Sequence, residues 1–165
     1  MNWADHRRWA SKFGIDENAA EYVNRIIDIS DESRLPEEYK EAVADSAEQI
    51  ATTRGAKSGN SALSLVITKE TMGHDSGRQK ATRGTLSAEC TLEHLCQKGD
   101  NFVDAWYLHH HLDYLCEQSA TGDSFDVVID RYRSEYPEAH SQRVEEFLRE
   151  CSNNLRVELG YVDSS

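Results

Sequence analysis

The chain has 165 residues, a formal net charge of −12 from 18 basic and 30 acidic side chains, and 38% hydrophobic residues. That length fits one domain burying about two-thirds of its unfolded surface. Apolar runs such as Leu65, Val66 and Ile67 fall far short of the roughly 20 residues that cross a bilayer, and Met1 to Asp5 has no charged leader or apolar segment. A cytoplasmic protein with no membrane partner is therefore expected.

The dominant apolar period is helical. His6, Trp9, Ala10 and Phe13 share one face of a first helix over Trp3 to Phe13, and Gly14 is its natural stop. Asp16 is placed to cap a second helix reaching Ile29, with Ala19, Ala20, Val23, Ile26 and Ile27 on its apolar side. Pro36 opens a third, whose stripe is Tyr39, Ala42, Val43, Ala47 and Ile50 and which ends near Gly55. The run Ala62 to Ile67 is ambiguous by period; with helical neighbours and no partner strand of similar character, helix is favoured. A glycine-bearing loop follows over Gly73 to Gly84.

Leu86 to Lys98 reads as a helix with a core face of Ala88, Leu92, Leu95 and Cys96, stopped by Gly99. Asn101 to Ser119 carries the strongest helical pattern. One stripe is Ala105, Leu108, Leu112, Leu115 and Cys116, and a second is Val103, Trp106, Tyr107, His110 and Tyr114. A helix apolar on two sides is either central to the fold or half-covered by a partner. Phe125 to Tyr132 is a short helix or strand, and Pro137 begins a last helix turning Val144, Phe147, Leu148, Cys151 and Leu155 inward. The fold class expected is all-α: a single domain over residues 1–160, with its core at 16–118, a helical appendage at 119–160 and a loose tail at 161–165.

Charge is unevenly distributed. Arg54, Lys57, Lys69, Arg78, Lys80 and Arg83 share thirty residues with only Glu70 and Asp75, a local net of about +4, whereas the remaining twelve bases and twenty-eight acids leave about −16. A polyanion can approach that stretch and is repelled elsewhere, so these six cations are the candidate nucleic-acid contacts. The loop Gly73 to Arg78 lacks the strand, glycine spacing and Lys-Ser/Thr pair of a nucleotide cradle. Twelve arginines against six lysines among so many acids suit either a salt-loving host or an ordinary acidic protein. High salt would weaken contacts made by phosphate charge alone.

Histidine and cysteine offer a second chemistry. Cys90 and His94 lie four apart on a helix face opposite the expected core stripe, and His110 from the next helix is a possible third ligand for an ion such as zinc. His109 and Asp113 are also four apart, the spacing of a ligand and its orienting carboxylate. The bland alternative has His109 flanking the core, His110 on the second apolar face and His111 in solvent. Cys96, Cys116 and Cys151 are expected buried and inert, leaving Cys90 beside His94 as the exposed thiol, with no oxyanion device or orienting third residue in view. A cytosolic chain with such cysteines reads as reduced rather than disulfide-bonded.

The order of elements resembles one cyclin-box repeat of archaeal transcription factor B over about residues 19–118. The likeness is carried by a helix to Ile29, the proline-opened helix, the turn Arg54, Gly55, Lys57, Ser58, the apolar segment Ser61 to Met72, the loop ending Arg83-Gly84-Thr85-Leu86, and the helix leading to Val103, Tyr107, Leu108 and Leu112. It implies a five-helix fold whose basic loops, here Arg54, Lys57 and Arg78 to Arg83, face DNA and whose apolar grooves take proteins. The chain has no zinc ribbon before residue 19 and no room for a second repeat after 118, so the likeness implies an accessory or regulator rather than a full initiation factor. The function expected is thus a non-enzymatic binding module touching DNA. The alternatives are a protein-interaction module or homodimer anchored by Val103, Trp106, Tyr107, His110 and Tyr114, and a metal-binding helical enzyme centred on Cys90, His94 and His110.

Overall fold

The computed structural model describes residues 1–28, 32–42, 44–45 and 86–161, the side chains of residue 32 and of 86–90 excepted. Among these residues every regular element is helical. Helix α1 spans Trp3–Phe13 and α2 spans Glu17–Asp28; α3 is helical at 37–42; α4 spans Leu86–Lys98, α5 Asp100–Gln118, α6 Phe125–Glu135, α7 Gln142–Glu150 and α8 Ser152–Leu159. None is long and apolar enough to cross a membrane.

Local chemistry sets the boundaries. Asn2 caps α1 by accepting from the Asp5 N–H, and Gly14 ends it in the left-handed region at φ 88°, where a Cβ would be strained. The Gly14 N–H turns back to Ser11 and the Ile15 N–H to Ala10, the reversal that frees the chain for α2. Asp16 accepts from the Asn18 N–H, while its own N–H donates to the Asn101 side chain, so the start of α2 is tied to the start of α5. Ser124 and Ser141 cap α6 and α7 in the same manner.

The nineteen-residue α5 is the axis of the fold: α1, α2, α4, α6 and α7 all pack on it. Most of both apolar stripes is buried within the chain, which gives the helix a central position. One continuous buried cluster runs from Trp9 through Val23, Leu108, Leu112 and Val128 to Tyr161. The C-terminal helices therefore share the core of the domain instead of forming an appendage. Phe147 meets Trp9 and Phe13 from opposite ends of the sequence, at ring distances of 6.3 and 4.7 Å. Tyr161, expected loose, is buried and donates to the Leu115 carbonyl at 2.7 Å.

Three further expectations are corrected. The last helix is two: Pro137–Ala139 makes only a 3-10 turn, Ser141 starts α7, and the chain breaks at Cys151 before α8. Ser152, Asn153 and Asn154 follow that break, and such side chains compete with helical hydrogen bonds. Phe125–Glu135, left open between helix and strand by its sequence, is a helix and needs no correction. The inward face of α4 is Thr91, His94 and Leu95, with Leu92 half-buried and Cys96 exposed, because Tyr39 and Tyr22 offer hydroxyls to Thr91 and His94 from the neighbouring elements. Cys116 and Cys151 are half-buried rather than sealed.

Candidate functional site in the buried histidine and aspartate cluster

Where α1, α2 and α5 meet, the core is polar. His6 comes from the apolar face of α1, Asn24 from that of α2, Asp28 from its last turn, and His109 and Asp113 from one face of α5. Asp113 is 1% exposed and collects donors on both oxygens. Oδ1 accepts from the Met1 amino group at 2.8 Å and lies 3.0 Å from His6 Nε2, while Oδ2 lies 3.1 Å from His109 Nε2. His109 Nε2 is also 3.4 Å from Asp28 Oδ1, and its Nδ1 is 2.9 Å from Asn24 Oδ1. Asp28 in turn accepts from the Trp3 indole N–H. The His6 and His109 rings meet edge to face at 3.9 Å.

Burying carboxylates this deeply costs several kcal/mol each unless opposite charge and hydrogen bonds compensate. The compensation divides the two histidines. Burial pushes the His6 imidazole below its usual range, and the neighbouring His109 pushes it further, so His6 is held neutral. Burial opposes charge on His109 as well, yet its bonds to Asp113 and Asp28 outweigh that penalty and hold its pKa above the ordinary value. Beside the cluster, His6, Asn24 and His109 share with Ala10, Ala20, Ala105, Leu108 and Leu112 a cavity of about 10 Å³, near what one water needs.

Among the described residues, His6, His109 and Asp113 form the one group whose ligand atoms lie within 4.8 Å of one another. The expected trio of Cys90, His94 and His110 is described only in part. His94 turns inward, with Nε2 2.6 Å from the Tyr22 hydroxyl; His110 is fully buried against the Trp106 ring at 4.4 Å; and the Cys90 side chain lies outside the described residues. His111, expected in solvent, is buried too, donating Nδ1–H to the Tyr107 carbonyl at 2.7 Å and stacking on Tyr132 at 4.1 Å. All three consecutive histidines are buried because the helix that carries them is enclosed on every side.

Of the residues assigned to a partner surface, Trp106, His110 and Tyr114 are buried within this chain, and Val103 and Tyr107 are half-buried. Tyr114 donates to Glu135 and packs on Tyr132 and Tyr136 at 5.1 and 5.6 Å. Three of the five residues of that face are thus interior, and Val103 and Tyr107 lie at its edge. The six cations Arg54, Lys57, Lys69, Arg78, Lys80 and Arg83 lie outside the described residues. The twelve other Lys and Arg residues are described, and eight of them, Arg8, Lys40, Lys98, Arg131, Arg133, Arg143, Arg149 and Arg156, are ion-paired with carboxylates.

The His109–Asp113 spacing signalled half of this cluster; His6 carried only its place on an apolar helix face. Compared with protein-family models, curated proteins and solved structures, the chain matches none.

Proposed function

We propose that this chain is a non-enzymatic helical binding module that docks the phosphate backbone of a nucleic acid through Arg54, Lys57, Lys69, Arg78, Lys80 and Arg83. The observation that carries the reading is the segregation of charge: a stretch of about +4 in a remainder of about −16. The ion pairing of eight of the twelve other cations supports it, because a cation already 2.5–3.3 Å from a carboxylate has little attraction left for phosphate. Backbone phosphates ask for cations and small donors rather than base-reading geometry, which suits a segment rich in Gly, Ser and Thr.

The non-enzymatic half of the proposal draws on burial. His6, His109 and Asp113 are at most 3% exposed, so no substrate touches them without the helices parting. In this reading residues 19–118 are a cyclin-box-like repeat, and the protein is an accessory or regulatory factor in transcription. The test is a gel-shift assay on duplex DNA with the full chain and the triple variant Arg78→Ser, Lys80→Ser, Arg83→Ser, each checked by circular dichroism for native helicity. The wild type shifts the duplex and the variant does not; equal binding by both overturns the proposal.

A further inference from the structure

We propose that His6, His109 and Asp113 bind one divalent ion of the late first transition series, zinc or a neighbour such as cobalt. The donor set is two imidazoles and one carboxylate, which suits these borderline ions and not calcium or magnesium, whose shells call for six or more oxygens or retained waters. The spacing also suits them. A tetrahedral ion at about 2.0–2.1 Å from its ligands sets neighbouring ligand atoms about 3.3–3.4 Å apart. In this chain His6 Nε2 and His109 Nε2 stand 3.0 and 3.1 Å from the two oxygens of Asp113, and one ligand atom from each of the three residues lies within 4.8 Å of the others, so the set can close on an ion by side-chain shifts. Two neutral imidazoles and one carboxylate leave a divalent ion with one uncompensated positive charge. The Asp28 carboxylate, 3.4 Å from His109 Nε2, supplies a second negative charge, while the Met1 amino group, 2.8 Å from Asp113 Oδ1, leaves the site with one positive charge in excess when it is protonated.

The surroundings of both rings fit this role. A coordinating imidazole carries its remaining proton on the other nitrogen and gives it to an acceptor, which fixes tautomer and ring orientation. For His109 that acceptor is Asn24 Oδ1, 2.9 Å from Nδ1. His6 Nδ1 is buried without a protein partner, as is Asn24 Nδ2. His6 and Asn24 both line the alanine-walled cavity, whose volume suits one water, and such a water can take the His6 Nδ1 proton and leave Nε2 free for the ion. The ion joins α1 to α5 through side chains 103 or more positions apart, and the burial of all three ligands keeps substrate away from it.

The experiment takes the full chain, stripped with a chelator, loaded with Zn²⁺, desalted and assayed for metal, alongside His6→Gln, His109→Gln, Asn24→Leu and the control His94→Gln. The wild type and His94→Gln retain one equivalent even in excess Mg²⁺. His6→Gln and His109→Gln retain none, and Asn24→Leu binds about 10–100-fold more weakly. A second readout needs no substitution and holds if a variant fails to fold. In ¹⁵N-correlated spectra of the wild type, Zn²⁺ shifts the ring nitrogens of His6 and His109, while those of His94, His110, His111 and His140 stay in place. No retained metal in the wild type, unchanged retention in His6→Gln, or shifts confined to the other histidines overturns the assignment and leaves a network held by hydrogen bonds alone.

Discussion

Asp113→Ala is the substitution on which the buried cluster is most exposed to test. The aspartate is 1% exposed and meets three donors, the Met1 amino group at 2.8 Å and the His6 and His109 ring nitrogens at 3.0 and 3.1 Å. Truncating it leaves those groups buried without the charge that compensates them. Removing one partner of a buried ion pair costs about 3–5 kcal/mol. In a domain of this size each kcal/mol moves the melting temperature by about 2–4 °C, so the midpoint falls by roughly 6–20 °C. The comparison is Asp126→Ala: that carboxylate is about half exposed and bonds Arg149 at 3.0 Å and Arg156 at 2.6 Å. Exposed pairs are worth about 0–1 kcal/mol each, so this loss stays within about 2 kcal/mol. Calorimetry at pH 7 with a chelator present, to remove any contribution from metal, decides between them. A loss for Asp113→Ala no larger than that for Asp126→Ala would refute the claim that this carboxylate is the charge centre of the core.

The remaining predictions concern pH and packing. Burial works against the charged form of Glu145, but Arg149, His140 and Arg133 hold its pKa below the usual range; the stability it contributes is present above its unfolded pKa and lost as pH falls through the folded one, and Glu145→Gln flattens that acid limb in a pH series of urea melts. Burial and the Glu135 carboxylate push the Tyr114 phenol up to about 12, so its contribution is full below about pH 10 and declines as pH rises to about 12; Tyr114→Phe shortens the alkaline limb measured by circular dichroism. Leu112 is fully buried beside the alanine-walled cavity, and Leu112→Ala lowers stability by about 2–5 kcal/mol in denaturant titrations. Ser124→Ala removes the cap of α6 at a cost of about 0.5–2 kcal/mol, seen as a lower midpoint with an unchanged denaturant slope.

Helix positions were legible because local rules write them. Gly14 fixed the end of α1, and the apolar spacing of Ala19, Ala20, Val23, Ile26 and Ile27 marked the buried side of α2, all five being buried. The double stripe of α5 announced a helix enclosed on two sides, though it could not say by what; the answer lies in long-range packing of α1, α2, α4, α6 and α7 around it. Faces were misread where polarity was taken for exposure. His94 and Thr91 point inward because Tyr22 and Tyr39 hydroxyls meet them, and Cys96, apolar by type, is left outside.

The cluster shows the same limit more sharply. His109 and Asp113 are adjacent on one helix, so their spacing could be read. His6 stands 107 positions from Asp113, and no local pattern reports that pairing. Nor does periodicity distinguish a histidine held in the core by carboxylates from one that rests on its edge. His111 illustrates this: its burial depends on Tyr132 in α6 and on the Tyr107 carbonyl one turn before it.

The account of function stands most directly on the dependence of nucleic-acid binding on salt. Each phosphate neutralised on duplex DNA contributes about −0.9 to the slope of log K against log salt, so six engaged cations give a slope of about −5. Replacing Arg78, Lys80 and Arg83 with Ser brings it up by about 2.7. Fluorescence anisotropy on a labelled duplex across a salt series measures both slopes. A steep wild-type slope that flattens by that amount is the predicted result, and a slope that is flat from the start, or steep and unmoved by the triple substitution, contradicts the assignment of the basic stretch as the docking surface.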